Sequence, residues 1–213
     1  NAPSPFPSLP GYQIASELGS GGFGTSYLGQ RVADGLPCVI KVMAWDRLKD
    51  WKSLELFERE AKVLEALDHP RIPRFVASLQ QEESLCLIQT FVLGLSLEQH
   101  LTQKGNFTSS QALDLALALT EILIYLQGFS PPLIHRDIKP SNIIIDSQNQ
   151  PHLIDFGADR DSLNPGPKTG GATVVGTFGY MAPEQFQGRA FPATDIYSLG
   201  MTVIYALSRK SPE

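Results

Sequence analysis

The stretch His135-Arg136-Asp137-Ile138-Lys139-Pro140-Ser141-Asn142 packs a carboxylate, a cation and an amide into six residues, directly behind an apolar run. A carboxylate can orient a hydroxyl nucleophile and accept its proton. A lysine can neutralise charge on a transferring phosphoryl group. An amide oxygen is a hard ligand suited to magnesium. Thirteen residues past Asn142 comes Asp155-Phe156-Gly157, a second carboxylate at the end of a predicted strand, and further on stands Ala182-Pro183-Glu184.

Toward the N-terminus lies a glycine cluster, Gly19-Ser20-Gly21-Gly22-Phe23-Gly24. Glycines let backbone N–H groups approach phosphate oxygens closely. By itself the cluster reads equally well as a Gly-rich hairpin. A dinucleotide fingerprint would open a helix, whereas Thr25 to Gln30 reads as strand, and the Walker spacing is absent. Lys41 sits in the apolar strand Cys38-Val39-Ile40-Lys41-Val42, where a charge is costly without a partner. It is either a snorkelling edge lysine or a phosphate-binding cation held by a carboxylate. Glu60 is the candidate carboxylate, with a solvated helix face as the alternative.

The chain has 213 residues, 42% hydrophobic and 18% charged, with a net charge of −5. That suits one large domain or two small lobes and excludes a disordered chain. The acidic balance argues against a protein whose main task is holding nucleic acid. Cys38 and Cys86 read as small buried side chains, so a disulfide framework is excluded and a reducing compartment is expected. No apolar run is expected to span a membrane. The closest, Ala112 to Leu126, is interrupted by Asp114 and Glu121. The chain opens on Asn1 without an initiator methionine, so a processed or excised chain is expected.

Residues 1–10 read as a Pro-rich lead-in. Strands are predicted around Tyr12, at Tyr27–Gln30, Pro37–Ala44, Phe75–Leu79 and Leu85–Phe91, with a hairpin turn at Asp34-Gly35. Leu54, Phe57, Ala61, Leu64 and Leu67 form one apolar helical stripe between the third and fourth strands. Thr108 and Gln111 have capping-box spacing for a helix that runs to about Gln127, apolar on most faces and expected to be deeply buried. A small hairpin is predicted at Ile143–Ile145 and His152–Ile154. A long loop follows over residues 158–176, then an apolar helix over Asp195–Leu207.

The ordered set of Gly-rich loop, strand lysine, helix glutamate, H-R-D-x-K-P-x-N, D-F-G and A-P-E resembles the eukaryotic-type (Hanks-type) serine/threonine protein kinases over nearly the whole chain. The wording of the motifs is similar to that of bacterial members. The resemblance implies an α+β, two-lobed kinase fold. Its N-lobe, residues 11–91, would hold an antiparallel five-stranded sheet with one helix. Its C-lobe, residues 92–213, would be mainly helical. It further implies a site in which Gly19 to Gly24 (Gly19, Ser20, Gly21, Gly22, Phe23, Gly24) cover the ATP phosphates. Ser26 and Val39 would flank adenine, Gln89 would be the gatekeeper, and Thr90 to Val92 the hinge. Lys41 would contact the phosphates and pair with Glu60. Asp137 would be the catalytic base, Lys139 would sit near the γ-phosphate, and Asn142 and Asp155 would hold magnesium, with manganese as the alternative ion. Leu64, Phe75, His135 and Phe156 match the stack that links the lobes. Asp195 matches the aspartate that anchors the catalytic loop, and Thr177 the threonine that bonds Asp137 and Lys139.

The implied activity is transfer of the γ-phosphoryl of ATP to Ser or Thr hydroxyls of proteins, autophosphorylation included, in the cytoplasm, with no membrane segment in this chain. A longer, membrane-tethered parent chain fits the same reading. Regulation by phosphorylation is expected at Thr173, with Thr169 second. Two departures stand out. Ser26 and Val39 replace the family's usual Val and Ala, which implies weaker ATP binding. The family's C-lobe continues for several helices past the one at Asp195, so a truncated C-lobe is expected, with exposed apolar surface that invites association. The alternative function is an inactive nucleotide-binding or interaction module.

Overall fold

The computed structural model describes residues 6–21, 24–44, 58, 61–81, 84–156 and 176–212. The chain divides into two compact units, Asn1–Asp68 with Pro73–Phe91, and His69–Ile72 with Val92–Glu213.

The first unit is a five-stranded antiparallel sheet of β1 (Tyr12–Gly21), β2 (Gly24–Arg31), β3 (Pro37–Ala44), β4 (Phe75–Gln81) and β5 (Ser84–Thr90), in the order β1-β2-β3-β5-β4. The first three strands form the expected meander. β5 rather than β4 then pairs with β3, which leaves β4 at the edge. Asp34 shapes the loop between β2 and β3. Its carboxylate accepts from the Arg31 Nε–H at 2.9 Å and the Leu36 N–H at 3.1 Å, and these donors hold its pKa down to about 2.

Alternation along β3 separates two faces. Cys38 and Ile40 turn to a core shared with Cys86 and Ile88, all essentially inaccessible to solvent. Val39 and Lys41 turn to the other face. Both cysteines are free and buried, as their apolar surroundings imply. The lead-in expected over residues 1–10 is not loose throughout. Leu9 is buried in this core, and the Gln81 amide donates to the Ser8 carbonyl at 3.2 Å. Residues 61–66 form a helix, α1, whose Ala61 and Leu64 are buried with Val63. Leu54 and Phe57 of the predicted stripe lie outside the described residues.

The second unit contains β6 (Gly94–Ser96), α2 (Leu97–Lys104), α3 (Ser109–Gln127), β7 (Ile143–Asp146), β8 (Pro151–Leu153) and α4 (Pro192–Ser208). β6, β7 and β8 form a small antiparallel sheet. The predicted capping box opens α3: the Thr108 hydroxyl accepts from the Gln111 N–H, and the Gln111 amide oxygen accepts from the Thr108 N–H. A second box, Ser96 with Gln99, opens α2 in the same way. Sequence reading gives the chain a helical character after Gly94 but does not bound α2, although Ser96-Leu97-Glu98-Gln99 carries the same signal, and it misses β6.

α3 corrects an expectation. Ala112, Leu115, Leu119, Ile122, Leu123 and Leu126 are buried, but Leu113, Leu117 and Ile124 are each more than half exposed. Its apolar residues exceed the single face that α4 and β8 cover. By length and composition α3 is also apolar enough to cross a membrane, Asp114 and Glu121 notwithstanding. Arg71 ties residues 69–72 to this helix, donating to the Ala118 carbonyl at 3.1 Å and pairing with Glu121. On α4, Ile196, Tyr197, Ile204 and Leu207 are exposed, in keeping with the apolar surface expected there.

Leu9→Ala removes a side chain from the core of the first unit and leaves a cavity. The expected cost is about 2–3 kcal/mol, read as a lower urea midpoint with an unchanged slope. An unchanged midpoint would show that the lead-in does not support the sheet.

Candidate active site

The segment from His135 to Asn142 is irregular backbone up to Lys139, closes in a 3-10 turn at Pro140–Asn142, and is held from several sides. Asp195, in the first turn of α4 and almost wholly buried, accepts from the His135 N–H and the Arg136 N–H, each at 2.8 Å. Burial pushes the Asp195 carboxyl pKa up, and the two backbone donors oppose it. The His135 ring is fully buried. Its Nδ1 accepts from the Asp137 N–H at 3.3 Å, which leaves Nε2 to donate to the Ile154 carbonyl at 3.0 Å. The ring meets Phe156 edge-on, with centroids 4.8 Å apart.

Arg136 and Asp155 both have φ of 66°, the left-handed region that non-glycine residues rarely occupy. Such conformations persist only where surrounding bonds over-determine them, and they gather at functional sites.

The Asp137 carboxylate is the focus of the unit. Oδ1 accepts from the Thr177 hydroxyl at 2.8 Å. Oδ2 accepts from the Asn142 amide at 3.0 Å and pairs with Lys139 Nζ at 2.9 Å. Lys139 also donates to Thr177 at 2.6 Å, and the Asn142 amide donates to the Asp137 carbonyl at 2.8 Å. Asp137 and Lys139 are largely but not fully covered, so the carboxylate stays in reach of solvent. Asn142 spends its amide nitrogen on Asp137, which leaves its oxygen for a hard cation. The Ile154 N–H donates to the Asn142 carbonyl at 3.0 Å and so fixes Asp155 beside it in the chain path. An amide oxygen and a carboxylate are a donor set that suits magnesium completed by phosphate and water. Among the described residues no group of three or more His, Cys, Asp and Glu is arranged to hold a metal by itself.

In the first unit, Ser20 pairs with Thr25 and Gly21 with Gly24 across the β1–β2 hairpin. Gly24 has φ of 131°, and a Cβ there would clash with the Val42 carbonyl oxygen, so β3 itself demands glycine. Ser26 faces Lys41, and Val39 faces Gln89, across neighbouring strands. Direct partners share a face, so these four side chains lie on the face opposite the Cys38–Ile40 core. Gln89 is buried, and its Nε2 has no hydrogen-bond partner among the described residues. Thr90 is tied to Arg74 by its N–H and its hydroxyl, both at 2.9 Å. Gly22, Phe23, Glu60, Gly157, Thr169 and Thr173 lie outside the described residues, and with them the expected Lys41–Glu60 pair.

Sequence reading singles out Glu184 as part of a motif, but the bonds made by Glu184 and by Gln185 escape it. Glu184 of Ala182-Pro183-Glu184 accepts from the Thr194 hydroxyl at 2.6 Å. Gln185 is buried and donates to the Arg136 carbonyl at 2.8 Å. Each partner stands at least ten positions away, and no local pattern announces either bond.

Comparison with known proteins agrees with this geometry. The family model described as "Protein kinase domain" matches residues 12–213. The chain is 39% identical to serine/threonine-protein kinase C of Synechocystis sp. over 95% of its length and 40% of the relative's. It is 36% identical to serine/threonine-protein kinase PknA of Nostoc sp., over 95% of this chain and 38% of that one. Mitogen-activated protein kinase kinase kinase 2 of Arabidopsis thaliana is 33% identical over 92% of this chain and 31% of its own. The chain belongs to the protein kinase domain family. It spans about two fifths of the length of the first two relatives.

Asp195→Asn keeps one acceptor and turns an NH2 group toward a backbone N–H. The loss of one charge-assisted bond and the strength of the other is expected to cost about 2–3 kcal/mol, measured by urea unfolding. Stability within experimental error of the unsubstituted chain would contradict the anchoring role.

Proposed function

We propose that this chain is the catalytic part of a serine/threonine protein kinase that transfers the γ-phosphoryl group of ATP to Ser and Thr hydroxyls of proteins. The observation that carries the proposal is the Asp137 carboxylate, held at both oxygens by Thr177, Asn142 and Lys139. Catalysis by this family's chemistry is mainly positioning and electrostatics, and this network supplies both.

In this reading Asp137 orients the acceptor hydroxyl and takes its proton. Lys139 stands within 2.9 Å of that carboxylate and balances charge on the group in transfer. Thr177 bridges the two beside their direct contact, accepting from Lys139 and donating to Asp137 Oδ1. Asn142 and Asp155 would hold the divalent ion, with magnesium proposed and manganese as the alternative. The ion would neutralise phosphate charge. Lys41, Ser26, Val39 and Gln89, on one sheet face, would take the nucleotide with Gly19 to Gly24, and Glu60 would hold Lys41. Thr90 and Val92 would present backbone groups to adenine. The N-lobe is assigned to residues 11–91 and the C-lobe to 92–213. A cytoplasmic setting is proposed on the two free, buried cysteines. Thr173, with Thr169 second, is the proposed phosphorylation site.

Incubation with magnesium and ATP, followed by intact-mass measurement, tests the proposal. Phosphate additions are expected for the unsubstituted chain. They should fall by about 10²-fold or more in rate for Asp137→Asn and vanish with EDTA. Equal additions in the variant would remove Asp137 from its role, and none in either protein would overturn the activity.

A further inference from the structure

We propose that Gln185 is a positioning residue for the reaction at Asp137, acting through the backbone carbonyl of Arg136. The inference rests on the kinase reading above and adds to it a residue outside the catalytic motifs.

Gln185 lies in the short 3-10 turn Pro183–Gln187 and is 2% exposed. Both ends of its amide are engaged with backbone. Its Oε1 accepts from the Ala182 N–H at 2.9 Å, and its Nε2 donates to the Arg136 carbonyl at 2.8 Å. The site presents one buried donor and one buried acceptor, and a primary amide matches both.

The Arg136 carbonyl is not an arbitrary partner. It belongs to the same peptide plane as the Asp137 N–H. That N–H is held by His135 Nδ1 at 3.3 Å. Gln185 and His135 therefore grip opposite edges of one rigid plane, and the plane sets the direction in which the Asp137 side chain leaves the backbone. The Arg136 N–H on its other side is gripped by Asp195. With φ of 66°, Arg136 needs such restraint on both flanks.

A second observation places Gln185 beside the other group that touches Asp137. At Gly176, with φ of 132°, a Cβ would lie 3.0 Å from Gln185 Nε2 and 3.1 Å from the Arg136 oxygen. The chain thus passes directly over the Gln185–Arg136 bond one residue before Thr177, whose hydroxyl donates to Asp137 Oδ1. Gln185 supports the base from below and shapes the approach of the threonine that orients it.

The test compares Gln185→Glu and Gln185→Met with the unsubstituted chain, measuring kcat and KM for ATP below the unfolding temperature of each. Gln185→Glu keeps the acceptor for Ala182 but sets an oxygen against the Arg136 carbonyl. Gln185→Met fills the volume and keeps neither bond. The glutamate variant retains an acceptor for the Ala182 N–H, the bond that closes the turn, and it carries the test should the methionine variant not fold. A positioning role predicts that kcat falls about tenfold or more in each folded variant while KM for ATP stays within about twofold. A purely structural role predicts lower thermal stability with kcat retained, and kcat within about twofold of the unsubstituted chain would overturn the proposal. An unsubstituted chain that transfers no phosphate would overturn the kinase reading itself, a result distinct from an active chain indifferent to position 185.

Discussion

Two backbone N–H groups, those of His135 and Arg136, end on a single buried carboxylate, and the second unit is organised around that contact. Buried backbone donors require a partner, and at this depth water does not supply one. Asp195 does so from the first turn of α4, where the free N–H groups of the helix start favour a negative charge. The arrangement turns the expense of burying a carboxylate into a fixed position for the residues that follow. With His135 and Arg136 immobile, the next residue along is Asp137, and its placement becomes a property of the helix scaffold.

From that anchor the site grows outward in layers of hydrogen bonds. His135 links Asp137 to Ile154, the residue before Asp155. Asn142 links the same aspartate to the other end of its loop. Thr177 and Lys139 close the network from the side of the chain that leads to Ala182-Pro183-Glu184. Each group that could react is therefore held by at least one group that does not. That is the condition for catalysis by electrostatic preorganisation, in which little rearrangement accompanies the reaction.

Much of this was legible in the sequence because the chemistry is contiguous. Asp137, Lys139 and Asn142 lie within six residues, and β3 was bounded correctly by Pro37 and by the apolar run behind it. The bonds that lock the site were less legible. Gln185 acts on a carbonyl 49 positions away, and Thr194 on a carboxylate ten positions away. A lone amide or hydroxyl carries no sign of its partner until the fold brings the two together. The helices failed in a different way. Hydrophobic content set the extent of α3, but it could not say which of its faces a neighbour covers, so Leu113, Leu117 and Ile124 were expected inside and stand exposed. The short β6 is not legible because a three-residue strand has no measurable period, and α2 lies in the stretch read as helical after Gly94 without bounds, although the capping box at Ser96 marks its start.

The Asp195 carboxylate, and not the loop itself, fixes the backbone that carries Asp137. Hydrogen exchange of the His135 and Arg136 amides measures this most directly. Both are expected to exchange only with unfolding of the second unit, at the slow rate of the α4 core amides. Exchange at the rate of an exposed loop, with α4 still protected, would contradict it.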